Sequence, residues 1–158
     1  MSIWRPSTTG LLIGGLVVVI LAAAIAFMVS NFQPTTEVKL GSGVFKVRLA
    51  QNDTARELGL SETTSLKPTD GLLMVFDSDN TWGVWMKDMK VSIDIIWLDS
   101  TKTVVYTVKN ATPELSTTKM FKSKDPARYV LELPAGSVQQ FGIKSGDKAE
   151  FTIAGENN

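Results

Sequence analysis

Residues 81–100, TWGVWMKDMKVSIDIIWLDS, decide how the rest of this chain is read. They contain three of its four tryptophans and two of its six methionines, with charged residues interspersed. The stretch predicts two core strands, one over about Thr81–Lys87 and one over about Ser92–Leu98, with a charged site at or near their junction. In the second, Ile93, Ile95 and Trp97 fall on one face and Asp94, Ile96 and Leu98 on the other. Asp94 is the single polar side chain on either face, so this strand belongs inside a sheet. An ionised carboxylate there is costly without partners.

Working outward, Leu72–Phe76 is a continuous apolar run suited to an interior strand, and Asp77–Asn80 reads as a polar loop after it. Val38–Leu40 and Val44–Ala50 around Gly41-Ser42-Gly43 form a hairpin, with Phe45, Val47 and Leu49 alternating against Lys46 and Arg48. Asn52-Asp53-Thr54 supplies an N-cap for a short helix ended by Gly59. Ser61–Leu66 suggests a second helical turn, and Pro68–Gly71 a tight turn. Downstream, Thr103–Lys109, Tyr129–Leu133 and Lys148–Ile153 read as strands, with a short helix after Ser137 ended by Gly142. Thr112–Pro126 lacks periodicity and is read as a functional loop or flap. These elements predict a mainly β, α+β domain over 37–154: an antiparallel sheet or partly closed barrel with two short helical insertions.

Before the domain, residues 11–29 carry no charged side chain, and 19 residues at about 1.5 Å each nearly match a hydrocarbon core of about 30 Å. One reading is a transmembrane signal anchor over 11–29, flanked by 1–10 and joined through a linker, 30–36, to the domain; 155–158 form a tail. The other is a cleaved signal with Ala24-Ile25-Ala26 at the cleavage site, which the further apolar Phe27, Met28 and Val29 argue against. The expected placement is a single-pass cell-membrane protein with its domain on the extracytoplasmic side.

Charge excludes several classes. Of 16 basic and 16 acidic residues only Arg5 precedes Glu37, so the remainder carries no basic footprint for nucleic acid. With no cysteine and no histidine, the chain has no thiol nucleophile, disulfide, Cys/His zinc site or Ser-His-Asp triad. No cofactor and no metal is expected. Asp77–Asn80 resembles the start of a calcium loop, but Trp82 stands where the turn glycine is required.

The blocks Gly71–Phe76, Trp85-Met86-Lys87-Asp88 and Ile93–Asp99, followed by Pro126–Leu133 with Ala135-Gly136 and Gly142-Ile143, resemble the domain-of-unknown-function-192 (DUF192) family over roughly Thr54–Phe151. The resemblance implies a β-rich fold and an exported or membrane-anchored protein. It implies no reaction. Asp88-Met89 stands where that family usually has Asn-Thr.

The candidate ligand-binding residues are Trp85, Lys87, Asp94, Trp97, Arg128 and Glu132. Two arrangements are open. Lys87 and Arg128 neutralise Asp94 and Glu132 in an internal network that fixes strand register, or they bind a small polar or carbohydrate ligand beside Trp85 and Trp97. The function expected is a membrane-tethered binding or accessory domain, with a carbohydrate ligand or an envelope protein as partner. The alternatives are an envelope carbohydrate hydrolase using Asp94 and Glu132 as acid and base, or a structural subunit of a membrane complex.

Overall fold

The computed structural model describes residues 16–24, 34–61, 63–115 and 119–154. The chain divides into two compact units, Met1–Gln33 and Pro34–Asn158. In the first, residues 16–24 are helical and their side chains exposed, Leu16, Val18 and Val19 each by more than 60%. The rest of the expected anchor, 11–15 and 25–29, lies outside the described residues, as do the flank 1–10 and the tail 155–158. No helix among the described residues is long and apolar enough to cross a membrane.

The second unit is built on a six-stranded sheet. Its strands, in sequence, are β1 (Thr35–Leu40), β2 (Gly43–Ala50), β3 (Asp70–Asn80), β5 (Ile93–Leu98), β6 (Val104–Ala111) and β8 (Ala127–Pro134), in the spatial order β1-β2-β3-β8-β5-β6. β4 (Gly83–Trp85) and β7 (Met120–Lys122) pair with each other in a separate antiparallel ribbon. The sheet is open and mixed rather than wholly antiparallel, because β2 and β3 run parallel. The connection between them passes through the helix Asp53–Leu58, and such a crossover brings the chain back in the same direction. That helix begins as expected, with Asn52 Oδ1 accepting from the Ala55 N–H at 2.8 Å, and ends at Gly59 with φ +53°. The other helical insertion is Ser137–Gln140.

Both faces of the sheet are covered. One packs Phe45, Val47, Leu73, Ile96, Leu131 and Leu133 against Val138, Ile143, Phe151 and Ile153. The other packs Leu72, Met74, Ile95, Trp97 and Val130 against Leu60, Val84, Met86, Met89 and Phe121. A middle layer with apolar cover on both sides explains why all six residues of β5 are buried.

Several expectations are corrected. Asp77–Asn80 is not a loop: β3 continues to Asn80, where Asn80 pairs with Ala127 and Asp79 binds Arg128 at 2.6 Å. Thr81–Lys87 contributes a three-residue strand outside the main sheet, since only one of its faces meets the core. The stretch 112–126 is not without structure: it holds a 3-10 turn, Pro113–Leu115, and β7. After Leu58 the chain makes turns through Ser61 N–H to Leu58 O and Thr63 N–H to Leu60 O; no second helix forms among the described residues there. Ser137 does not cap its helix by side chain; its hydroxyl donates to Pro134 O at 2.6 Å and Gly136 occupies the N-cap.

Lys148–Ile153 forms no ladder. It makes isolated bridges instead, Lys39 with Glu150 and Thr103 with Lys148. One bridge lies on the edge strand β1 and the other just before the opposite edge strand β6. The C-terminal segment therefore spans the open side of the sheet.

Candidate functional site

Strand register places Arg48, Leu72, Glu132 and Ile95 side by side across β2, β3, β8 and β5. Directly opposed residues share a face, so Arg48 and Glu132 look out on the same side with Leu72 between them. Glu132 is 3% exposed, and its Oε2 has no hydrogen-bond partner among the described residues. Burial pushes its carboxyl up to about 8, an effect the Arg48 guanidinium partly offsets. At neutral pH Glu132 is therefore a buried carboxylic acid with a hydrogen-bonding atom left over, an arrangement that typically costs 1–3 kcal/mol.

That acid lies on the floor of a cleft of about 260 Å³. One wall is the helix Asp53–Leu58 and the turn after it; the other is Gly83–Trp85 with Met89. Met74 and Phe76 of β3 complete the lining. The helix is fastened at Arg56, whose guanidinium donates to Val75 O and to Asp53 Oδ1, both at 2.6 Å, and lies 5.0 Å over the Phe76 ring. Phe76 is in turn stacked on Trp82 at 4.1 Å. Across the cleft Trp85 is 44% exposed, with the Lys87 ammonium 5.5 Å from its ring centroid. The Ser61 hydroxyl donates to Lys87 O at 2.9 Å and ties the two walls together. Gly59 keeps the approach clear: a Cβ there would stand 3.5 Å from Met74 Cε and 3.9 Å from Glu132 Oε2.

The other expected site residues are placed differently. Asp94 is wholly buried on the opposite face, opposed to Leu133, and touches neither Lys87 nor Arg128 in any ion pair. Its Oδ1 accepts from the Asn110 N–H and its Oδ2 from the Val138 N–H, both at 2.8 Å. Two backbone amides, not two side-chain cations, compensate this carboxylate. Trp97 is a core residue, its indole N–H donating to Trp82 O at 3.0 Å. Arg128 pairs with Asp79 at the sheet margin. Asp94 and Glu132 therefore lie on opposite faces of one sheet and cannot work as an acid–base pair on a single bond. The structure brings Trp85 and Glu132 into one cleft, with Lys87 beside Trp85, and leaves Asp94, Trp97 and Arg128 outside it.

The cleft also uses Arg56, Gly59, Met74 and Phe76, none of which the sequence singled out as site residues. The usable signals were the Asn52 cap and Gly59 stop, which fix a short helix next to the apolar run 72–76. Among the described residues, no three Asp, Glu, His or Cys side chains gather as metal ligands would.

Comparison with known proteins follows the same outline. A model of the DUF192 family, described as an uncharacterized ACR, matches residues 36–151. The UPF0127 protein PF1050 of Pyrococcus furiosus is 31% identical over 112 residues, covering 67% of this chain and 86% of its own. Two crystal structures resemble the fold. A protein from Sinorhizobium meliloti 1021, named as a candidate transcription regulator, superimposes with a TM-score of 0.72 at 29% identity, covering 75% of this chain and 95% of its own. A protein of unknown function from Novosphingobium aromaticivorans DSM 12444 gives a TM-score of 0.68 at 28% identity, covering 75% and 84%.

Proposed function

The chain belongs to the DUF192 family, and on that premise we propose that it is a membrane-tethered binding module whose ligand site is the cleft over Glu132. The observation that carries the reading is Oε2 of Glu132, a buried polar atom without a partner at the bottom of an open, aromatic-walled cleft. Small-molecule sites combine mainly apolar walls with a few placed polar groups, and this cleft does the same. Trp85 supports it further, because a large aromatic ring left partly exposed at a cleft mouth offers contact area at little entropic cost.

Tethering rests on residues 11–29, free of charge, and on the exposed apolar side chains of residues 16–24. The domain is assigned to the extracytoplasmic side because a first apolar segment at the N-terminus directs export. A role in transcription by binding nucleic acid, toward which the name of the Sinorhizobium protein points, has no support in charge: from Glu37 onward 16 acidic residues stand against 15 basic ones.

The site is tested by thermal-shift screening of the full chain in lipid nanodiscs against neutral sugars and small polar metabolites. A ligand at a hundred times its Kd adds about 2.7 kcal/mol, a shift of several degrees. The stabilisation should disappear in Trp85→Ala, whose side chain lies outside the core. Stabilisation that survives both Trp85→Ala and Glu132→Leu, or none from any compound, overturns the reading. Release of the chain from membranes by alkaline carbonate overturns the tether.

A further inference from the structure

We propose that the cleft selects uncharged ligands that present a carbonyl-type oxygen to Oε2 of Glu132 at the end of an apolar body, an inference that rests on the cleft being a binding site.

The charges around the acid decide against charged ligands. From β2, Arg48 faces Glu132 across Leu72 but is not part of the lining, so it partly offsets the acid's burial without offering its charge to a ligand. From the helix, Arg56 is neutralised by Asp53 at 2.6 Å, which leaves Glu57 as the helix's uncompensated charge lining the cleft. Lys87 stands over the Trp85 ring, 5.5 Å from its centroid, and is not part of the lining. An anion entering past Glu57 meets a like charge and gives up its own hydration for a single hydrogen from Glu132. A cation would pair with Glu132 only if that buried carboxyl ionised, which its burial opposes.

An uncharged acceptor meets no such cost. The Glu132 carboxyl, protonated at neutral pH because burial holds it near 8, has one hydrogen to donate. A ligand carbonyl satisfies that donor without adding charge. The remainder of the ligand then meets Leu60, Met74, Phe76, Val84, Trp85 and Met89, a lining of aliphatic, aromatic and thioether surface. Gly59 is part of the device: even a Cβ there would stand 3.9 Å from Oε2.

Three matched fragments separate the possibilities: phenylacetamide, phenylacetate and phenethylamine, uncharged, anionic and cationic on nearly one frame. Each is titrated into the full chain labelled with 5-fluorotryptophan, reading the Trp85 resonance assigned through Trp85→Phe. At about pH 6.5 phenylacetamide should bind at least about tenfold more tightly than the other two. Its affinity should be flat below about pH 7 and fall about tenfold per unit once the pH exceeds 8. Glu132→Gln, whose amide also donates, should bind phenylacetamide within about threefold of the parent and lose the pH dependence; Glu132→Leu should lose binding. Tighter binding of phenethylamine that grows with pH, tighter binding of phenylacetate, or the same pH profile in Glu132→Gln overturns the selectivity alone. A Trp85 resonance that none of the three fragments moves overturns the binding site with it.

Discussion

Asp94 and Glu132 are two buried acids that solve the same problem in different ways. Asp94 keeps its place by accepting two backbone N–H groups, a compensation worth about 1.5–3 kcal/mol per bond to a charged acceptor. Asp94→Ala should therefore cost about 3–5 kcal/mol in urea unfolding, while Arg128→Ala, which breaks a partly exposed ion pair, should cost under about 1 kcal/mol. Comparable losses in the two variants would mean that the amide bonds do not carry Asp94. Glu132 keeps its proton instead. Its folded pKa near 8 lies above the ordinary 4.5, so folding takes up a proton between those values. The stability this group contributes is complete below about pH 4.5 and is lost as pH rises through about 8. Glu132→Gln cannot ionise. It should match the parent near pH 4.5 and exceed it by on the order of 4 kcal/mol above pH 8.5, read from urea midpoints across pH. Both acids stood out in the sequence as charges on apolar strands. Their partners did not, because a backbone amide and a retained proton leave no mark on residue identity.

Among the elements, β5 was fully legible: six residues apolar on both faces apart from Asp94 can only be an interior strand. β4 was over-read. Val84 and Met86 do enter the core, but Trp85 faces outward, opposed to the exposed Met120 of β7. β7 is three residues, Met120–Lys122, too short for any period to show. The parallel pairing of β2 with β3 depends on where a crossover returns, which residue pattern does not encode. Two glycines show how differently elements can approach one another. At Gly71 a Cβ would stand 2.5 Å from the backbone oxygen of Glu132, and the central strands β3 and β8 cannot separate to admit it. At Gly83 the nearest atom is Met120 Sδ, also at 2.5 Å, on a flexible chain at the surface. Gly71→Ala should cost about 2–4 kcal/mol and Gly83→Ala under about 1 kcal/mol by urea unfolding. Equal costs would show that β3 and β8 adjust as easily as the ribbon does.

At the scale of the molecule, the C-terminal segment Lys148–Ile153 does what a last strand was expected to do, without forming one. Lys39 and Glu150 exchange backbone hydrogen bonds at 2.9 Å, and Ala149 N–H donates to Lys102 O at 2.8 Å. Phe151 and Ile153 cover the core beneath them. A chain ending at Gly146 should uncover that core face and lose its cooperative thermal transition by circular dichroism; a parent-like melt would show the segment to be dispensable. The six-strand order also bears on how the chain comes to be folded. β8 is the last strand in sequence yet stands between β3 and β5 at the centre of the sheet. Until residue 134 is available, β1-β2-β3 and β5-β6 are two separate fragments with apolar surfaces and no shared hydrogen bonds. Pairings this distant in sequence form slowly, on a scale of milliseconds to seconds. The growing chain thus remains loose until β8 has been made, and a product that stops short of it has no central strand to join its two halves.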